Sequence, residues 1–274
     1  MDISLQLYTV NSALESDLDG GLARLAEIGF TTVEAFDFVR RAPQLAMSFG
    51  AHGITAATGH AFLVQSEIPL PDGTTMTAPS RAETFGAAAE LGMTTVIDPF
   101  VGVDEWSTLD GVKRIADALN AASIDAAKEG LLVGYHNHDH ELRSIIEGKP
   151  ALAVLAELID PAVKLEVDLY WATAAHVDIA EFVSGLGEQV LAVHVKDGPM
   201  DREITTANVP TDQVSAGRGD VPLAAALASN PHLKYAVIEF DGFQGDVFDG
   251  VQGSFDWLTA TIAEIDAAGT KASA

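Results

Sequence analysis

The 274-residue chain contains no cysteine. Disulfides and thiolate metal sites are therefore excluded. Any metal must be held by His, Asp, Glu, Asn or water, a donor set that suits Mn, Zn, Mg, Co or Fe(II). Basic residues are also scarce: 15 stand against 40 acids, for a formal charge of −25. A nucleic-acid partner is disfavoured, because holding a phosphate backbone takes clustered Lys and Arg. Long apolar runs are missing too. The opening MDISLQLYTV has no basic leader pattern, and nowhere do about 20 apolar residues follow one another. The expectation is a soluble, cytoplasmic protein with no membrane partner. Glycine-rich phosphate loops are absent, since the chain has neither GxGxxG nor a Walker A motif. That counts against a doubly wound nucleotide-binding sheet, the runner-up architecture.

What is present is a regular alternation. Short β-branched runs recur at 3–9, 31–36, 54–59, 94–98, 131–137, 163–168, 190–195 and 235–240. Between several of them lie helical patterns. Residues 18–29 end on Gly29, and 80–92 open with the capping box Ser80 and Glu83. Residues 108–130, 178–187, 222–230 and 254–269 follow the same apolar period. Eight strand–helix units in a chain of this size predict an α/β single-domain (β/α)8 TIM barrel over residues 1–268, with 269–274 as a frayed tail. Two long connections, 62–80 and 197–220, follow strand ends and are expected to act as lids.

In such a barrel the chemistry sits at the C-terminal ends of the strands. The richest end is the fifth, GYHNHDHE, which offers His136, Asn137, His138 and, just beyond, Glu141. The sixth offers Glu166 and Asp168, the seventh His194 and Lys196, and the eighth Glu239 and Asp241. Gln6, Tyr8, Glu34, Thr58, His60 and Asp98 mark the first four. Residues two apart share a strand face, so His194 and Lys196 point one way and Val193 and Val195 the other. Singly, each has a bland reading: a satisfied structural histidine, a helix cap, a buried ion pair. Acids and imidazoles converging from four consecutive strands instead suggest a divalent-metal site with open water positions.

The stretches LQLYTV, GYHNHDHE, VDLYWATAAHVD, VHVKD, GRGDVP and IEFD, in that order, resemble the sugar phosphate isomerase/epimerase family, the xylose isomerase-like TIM barrel group. The resemblance implies one divalent metal, often Mn, held by Asp168, His194, Glu239 and a fourth ligand. Many relatives carry Glu where this chain has His136. Either His136 binds or Glu141 reaches back, and balancing a dication with a third carboxylate favours Glu141. The resemblance also implies proton abstraction beside a carbonyl, by an isomerase or epimerase acting on a sugar or keto-sugar. The alternatives are a lyase of the inosose dehydratase or 3-keto-glycoside eliminase type and a non-catalytic sugar-binding barrel. A DNA-repair endonuclease of the same barrel type is disfavoured by the negative charge. Histidine titrates near neutrality, which makes His138 the expected base, with His136 in support and Lys196 as proton donor or oxyanion partner. Tyr8, His60 and Trp171 are the expected substrate contacts. Arg143, Arg202 and Arg218 lie in loops where a phosphate would be met. Relatives often dimerise or tetramerise, so a homo-oligomer is expected.

Overall fold

A computed structural model describes residues 1–69 and 74–272. Eight strands form one parallel sheet: β1 (Asp2–Leu5), β2 (Thr32–Ala35), β3 (Thr55–His60), β4 (Thr95–Asp98), β5 (Leu132–His136), β6 (Lys164–Asp168), β7 (Val190–Val195) and β8 (Tyr235–Ile238). Their order is β1-β8-β7-β6-β5-β4-β3-β2. A parallel bridge between Gln6 and Glu34 joins the first strand to the second and closes the barrel. The outer ring consists of α1 (Leu18–Ile28), α2 (Phe38–His52), α3 (Arg81–Glu90), α4 (Leu109–Ala126), α5 (Ala151–Leu158), α6 (Ile179–Leu186), α7 (Leu223–Ser229) and α8 (Val247–Ala272).

The local signals explain most of these boundaries. The Ser80–Glu83 capping box starts α3 with both reciprocal bonds in place, and Asp178 caps α6 through its side chain. Gly29 ends α1 in the left-handed region at φ 119, where a residue with a Cβ is strained. Two helices were not among the expected segments. The cap of α2, Asp37, itself sits at φ 48, makes no side-chain cap bond, and is followed by Pro43 inside the helix. The α5 sequence, ALAVLAEL, is apolar on almost every face, with Ala151, Leu152, Val154, Leu155 and Ala156 buried. Such a segment shows no amphipathic period to read. At the other end, α8 runs on to Ala272 through residues expected to fray, and residues 273–274 lie outside the described set. No described helix is long and apolar enough to cross a membrane.

Buried carboxylates fix the loops above the barrel. Asp98, at the end of β4, accepts from the Leu63, Val64 and Phe100 backbone N–H groups at 2.7, 2.9 and 3.0 Å. The connection 62–80 then forms an antiparallel ribbon, Glu67–Pro69 with Thr75–Thr77. Its residues 70–73 lie outside the described set. The connection 197–220 folds back onto Asp197, whose Oδ1 accepts from Gly198 and Val221 N–H and whose Oδ2 accepts from Gly219 N–H. Gly219 is required there, because a Cβ would come within 2.4 Å of the Gly198 nitrogen. The GRGD turn is thus pinned to the top of β7.

Candidate metal centre

The interior of such a barrel is ordinarily packed with branched aliphatic side chains. Here acids and imidazoles replace them on the upper half of six strands. The register aligns the contributors: Glu166 on β6 lies opposite His136 on β5, and Asp168 lies opposite His194 on β7. Glu239 follows β8 directly. One ligand atom each from His136, Asp168, His194 and Glu239 come within 4.8 Å of one another, and all four residues are buried. His136 Nε2 lies 3.8 Å from Asp168 Oδ2, and His194 Nδ1 lies 4.0 Å from it and 2.6 Å from Glu239 Oε2. Asp168 Oδ1 accepts from Trp171 N–H at 2.8 Å and so caps the short helix Leu169–Ala174. Its Oδ2 is buried and has the Lys196 ammonium 3.0 Å away. A buried carboxylate oxygen that also faces two imidazoles fits a divalent cation, and the donor set of two nitrogens and two carboxylates is a recognised one for Mn, Zn or Fe(II).

A second layer lies beneath. Glu34 Oε1 accepts from Gln6 Nε2 at 2.8 Å and its Oε2 from Thr58 Oγ1 at 2.7 Å. Both Glu34 and Glu166 meet His60 and His194, with His60 Nε2 at 3.1 and 2.8 Å and His194 Nε2 at 2.8 and 3.0 Å respectively. The His60 and His194 rings stack at 7°. Burial pulls the His60 imidazolium down, but Glu34 and Glu166 outweigh it and push the group up to about 10. His136, by contrast, is driven well below the ordinary histidine value by burial and by the neighbouring His194 and His60. It is neutral and has a lone pair to give.

Lys196 closes one side of the group. Its buried ammonium lies 3.0 Å from Asp168 Oδ2, 2.6 Å from Glu239 Oε2 and 3.1 Å from Asp241 Oδ2. Burial opposes its charge, yet these three carboxylates hold it well above the usual lysine value. Burial raises Asp168 to about 6 even so, against the pull of Lys196 and His194.

The expected residues separate into two sets. Asp168, His194 and Glu239 come together as anticipated, but their fourth neighbour is His136. Glu141 stands outside the group. Its Oε1 accepts from the Tyr135 hydroxyl at 2.8 Å and its Oε2 from the His138 N–H at 2.9 Å, so both oxygens serve the turn after β5. His60, expected as a substrate contact, lies in the deeper layer with Glu34 and Glu166. Trp171 is buried beside the group, with Lys196 Nζ 5.8 Å from its ring and His138 5.7 Å away, centroid to centroid. Tyr8 is half-exposed at the rim and packs edge-on against Phe36. His138 is partly exposed, and its Nδ1 is buried without a hydrogen-bond partner. Burial and then the charge of Lys196 hold it well below the ordinary value. Glu34 and Glu166 were visible as strand-end acids, but nothing in the one-dimensional pattern told that they would share two histidines.

A family model described as the xylose isomerase-like TIM barrel matches residues 22–229. No curated protein matches the sequence. Among solved structures, a sugar phosphate isomerase/epimerase from Parabacteroides distasonis superposes with a TM-score of 0.74 at 21% identity, covering 94% of this chain and 93% of that one. The probable 3-DHS dehydratase of petrobactin synthesis from Bacillus anthracis gives 0.69 at 13% identity, covering 94% and 99%. The IolI protein, solved with a bound zinc atom, gives 0.65 at 16%, covering 97% and 98%. At these identities the structures support the fold, and the family model supports membership. The chain belongs to the xylose isomerase-like TIM barrel family.

Proposed function

We propose that this protein is a divalent-metal-dependent isomerase or epimerase of an unphosphorylated sugar or keto-sugar. The observation that carries the reading is the convergence of His136, Asp168, His194 and Glu239, all buried and within 4.8 Å of one another by one ligand atom each. These residues would hold the ion. When bound, it supplies Lewis acidity to a substrate carbonyl and its neighbouring hydroxyl.

The protein's own groups do the rest. His138 is neutral, and its free Nδ1 takes the proton from the carbon next to the carbonyl, breaking C–H and forming N–H. Lys196 is held charged by three carboxylates and faces the oxygen on which negative charge develops. Return of the proton to the neighbouring carbon, with the hydroxyl proton passing to the former carbonyl oxygen, isomerises the sugar, and return to the opposite face of the same carbon epimerises it. Trp171 walls this space and keeps water from the base.

The absence of phosphate in the substrate follows from where the cations are spent. Arg143 donates to Asp139 and to the Ala174 and Ile204 carbonyls. Arg202 pairs with Asp212, and Lys196 is enclosed by acids. Arg218 is exposed on the turn above Asp197. A phosphate dianion would enter a field of carboxylates without a dedicated partner. The test is solvent-deuterium incorporation in the Mn-loaded protein, across ketoses and their phosphate esters. Exchange at the carbon beside the carbonyl, faster for the free sugars, is expected. No exchange with any sugar would overturn the reading, and release of water from the substrate would replace it with a dehydratase.

A further inference from the structure

Glu166 is a buried acid with no task in the proposed reaction. Its Oε2 nevertheless gathers three imidazole nitrogens: His60 Nε2 at 2.8 Å, His194 Nε2 at 3.0 Å and His136 Nδ1 at 3.2 Å. A carboxylate oxygen only accepts, so each nitrogen keeps its proton on the Glu166 side. In a neutral imidazole the lone pair is then on the other nitrogen. For His136 that is Nε2, which faces Asp168 Oδ2. For His194 it is Nδ1, which lies 2.6 Å from Glu239 Oε2 and also faces Asp168 Oδ2; in the metal-free protein it carries a proton to Glu239, and an ion in the group would take that proton's place. The two nitrogens left for an ion therefore face the same group from below. Glu34 reinforces His194 through a second contact at 2.8 Å, and is itself held by Gln6 and Thr58.

We propose that Glu166 is a positioning residue that locks His136 and His194 in opposite tautomers. A metal in the mouth group is then bound through Nε2 of one and Nδ1 of the other. This rests on the metal reading given above. The device matters more with two imidazoles than with one. A carboxylate ligand binds through either oxygen, whereas an imidazole binds only through the nitrogen that has lost its proton. The same atoms raise a rival possibility, since His60, His136, Glu166 and His194 also lie within 4.8 Å of one another and make a deeper cation group. The contacts favour positioning. Glu166 Oε2 already receives three nitrogens at hydrogen-bond distance, and the mouth group offers a dication two carboxylates, Asp168 and Glu239, where the deeper group offers one.

The test joins a titration to a spectroscopic readout. Mn(II) and Zn(II) affinities are measured by calorimetry on wild type, Glu166→Gln and Glu34→Gln, and imidazole nitrogens are assigned by ¹⁵N NMR in the Zn-loaded wild type. The expected outcome is a loss of about 10- to 100-fold in affinity for Glu166→Gln, the range found when a carboxylate behind a histidine ligand is removed. The NMR should show protonated Nδ1 on His136 and protonated Nε2 on His194. The reverse tautomers, zinc ligation by His60, or unchanged affinity in folded Glu166→Gln would overturn the role. The wild-type tautomers decide the question even where the variant fails to fold. A wild type that binds no divalent ion would overturn the proposed function as well, which separates the two failures.

Discussion

The sharpest contrast the structure offers is between His136 and Glu141, five residues apart and both buried. Replacing His136 by Ala removes one of four donors from the mouth group but breaks only one hydrogen-bond contact, to Glu166 at 3.2 Å. The affinity for Mn(II) is expected to fall by more than the roughly 100-fold that the loss of a residue behind a ligand produces. Replacing Glu141 by Gln leaves the group intact but sets an amide N–H₂ against the Tyr135 hydroxyl or the His138 N–H. One buried donor then loses its acceptor, at about 1–3 kcal/mol. For a protein of this size that lowers the melting temperature by roughly 2–10 °C. The two variants thus separate on two axes, with metal titration failing only in His136→Ala and thermal unfolding in chelator shifting in Glu141→Gln. If Glu141→Gln abolishes metal binding while His136→Ala retains it, the ligand set derived from the coordinates is wrong.

Three further outcomes follow from the same geometry. Lys196→Met removes the cation shared by the buried Asp168 and Glu239 and the partly buried Asp241, which is expected to cost about 3–5 kcal/mol in the chelated protein; added Mn(II) should recover part of the lost melting temperature, and no recovery would mean that the ion does not meet these acids. His60 gains its charge on folding, with a pKa near 10 against about 6.5 unfolded. Its contribution to the stability of the chelated protein is therefore full below pH 6.5 and disappears as pH rises through 10. His60→Asn should flatten the melting-temperature profile over that window, and an unchanged slope would refute the assignment. Gly219→Ala drives a methyl against the Gly198 backbone and the Asp197 carboxylate, so it should cost about 1–3 kcal/mol and release the GRGD turn to limited proteolysis, which an unaltered digestion pattern would contradict.

The fold was legible because each strand ends where β-branched residues give way to polar ones, and the parallel register then brings those ends together. The β7 sequence AVHVKD shows the limit of that logic. Alternation put His194 and Lys196 on one face, and the register put His194 level with Asp168 and Val237. Alternation is silent, however, about depth and about contacts across the barrel. Glu34 on β2 and Glu166 on β6 meet the same two histidines from opposite walls, a relation that exists only once the sheet has closed. The α2 and α5 helices were hidden for more local reasons: α2 has an amphipathic stripe through Phe38, Ala42, Leu45 and Phe49 but an uncapped start and Pro43 inside it, and α5 is apolar on almost every face.

Charge explains why His136, and not Glu141, suits the fourth place in the group. Counting carboxylates among the ligands alone suggested that a dication needs a third acid, and so favoured Glu141. The ligands are not the only charges in the barrel. Glu34, Glu166 and Asp241 lie directly behind or beside the group. With Asp168 and Glu239 they face one lysine, Lys196, and the imidazolium of His60. Acid is already in excess there, and each buried ion carries a desolvation penalty of several kcal/mol unless it is paired. A further carboxylate on the metal would deepen that excess. A neutral imidazole at His136 adds a donor without adding charge, and leaves Glu141 free to bind the Tyr135 hydroxyl and the His138 N–H that shape the turn carrying the proposed base. Exchanging the two roles should therefore fail: His136→Glu is expected to bind metal less tightly than wild type at low ionic strength, and Mn(II) affinity equal to or above that of wild type would show that ligand charge, not the charge of the whole interior, sets the site.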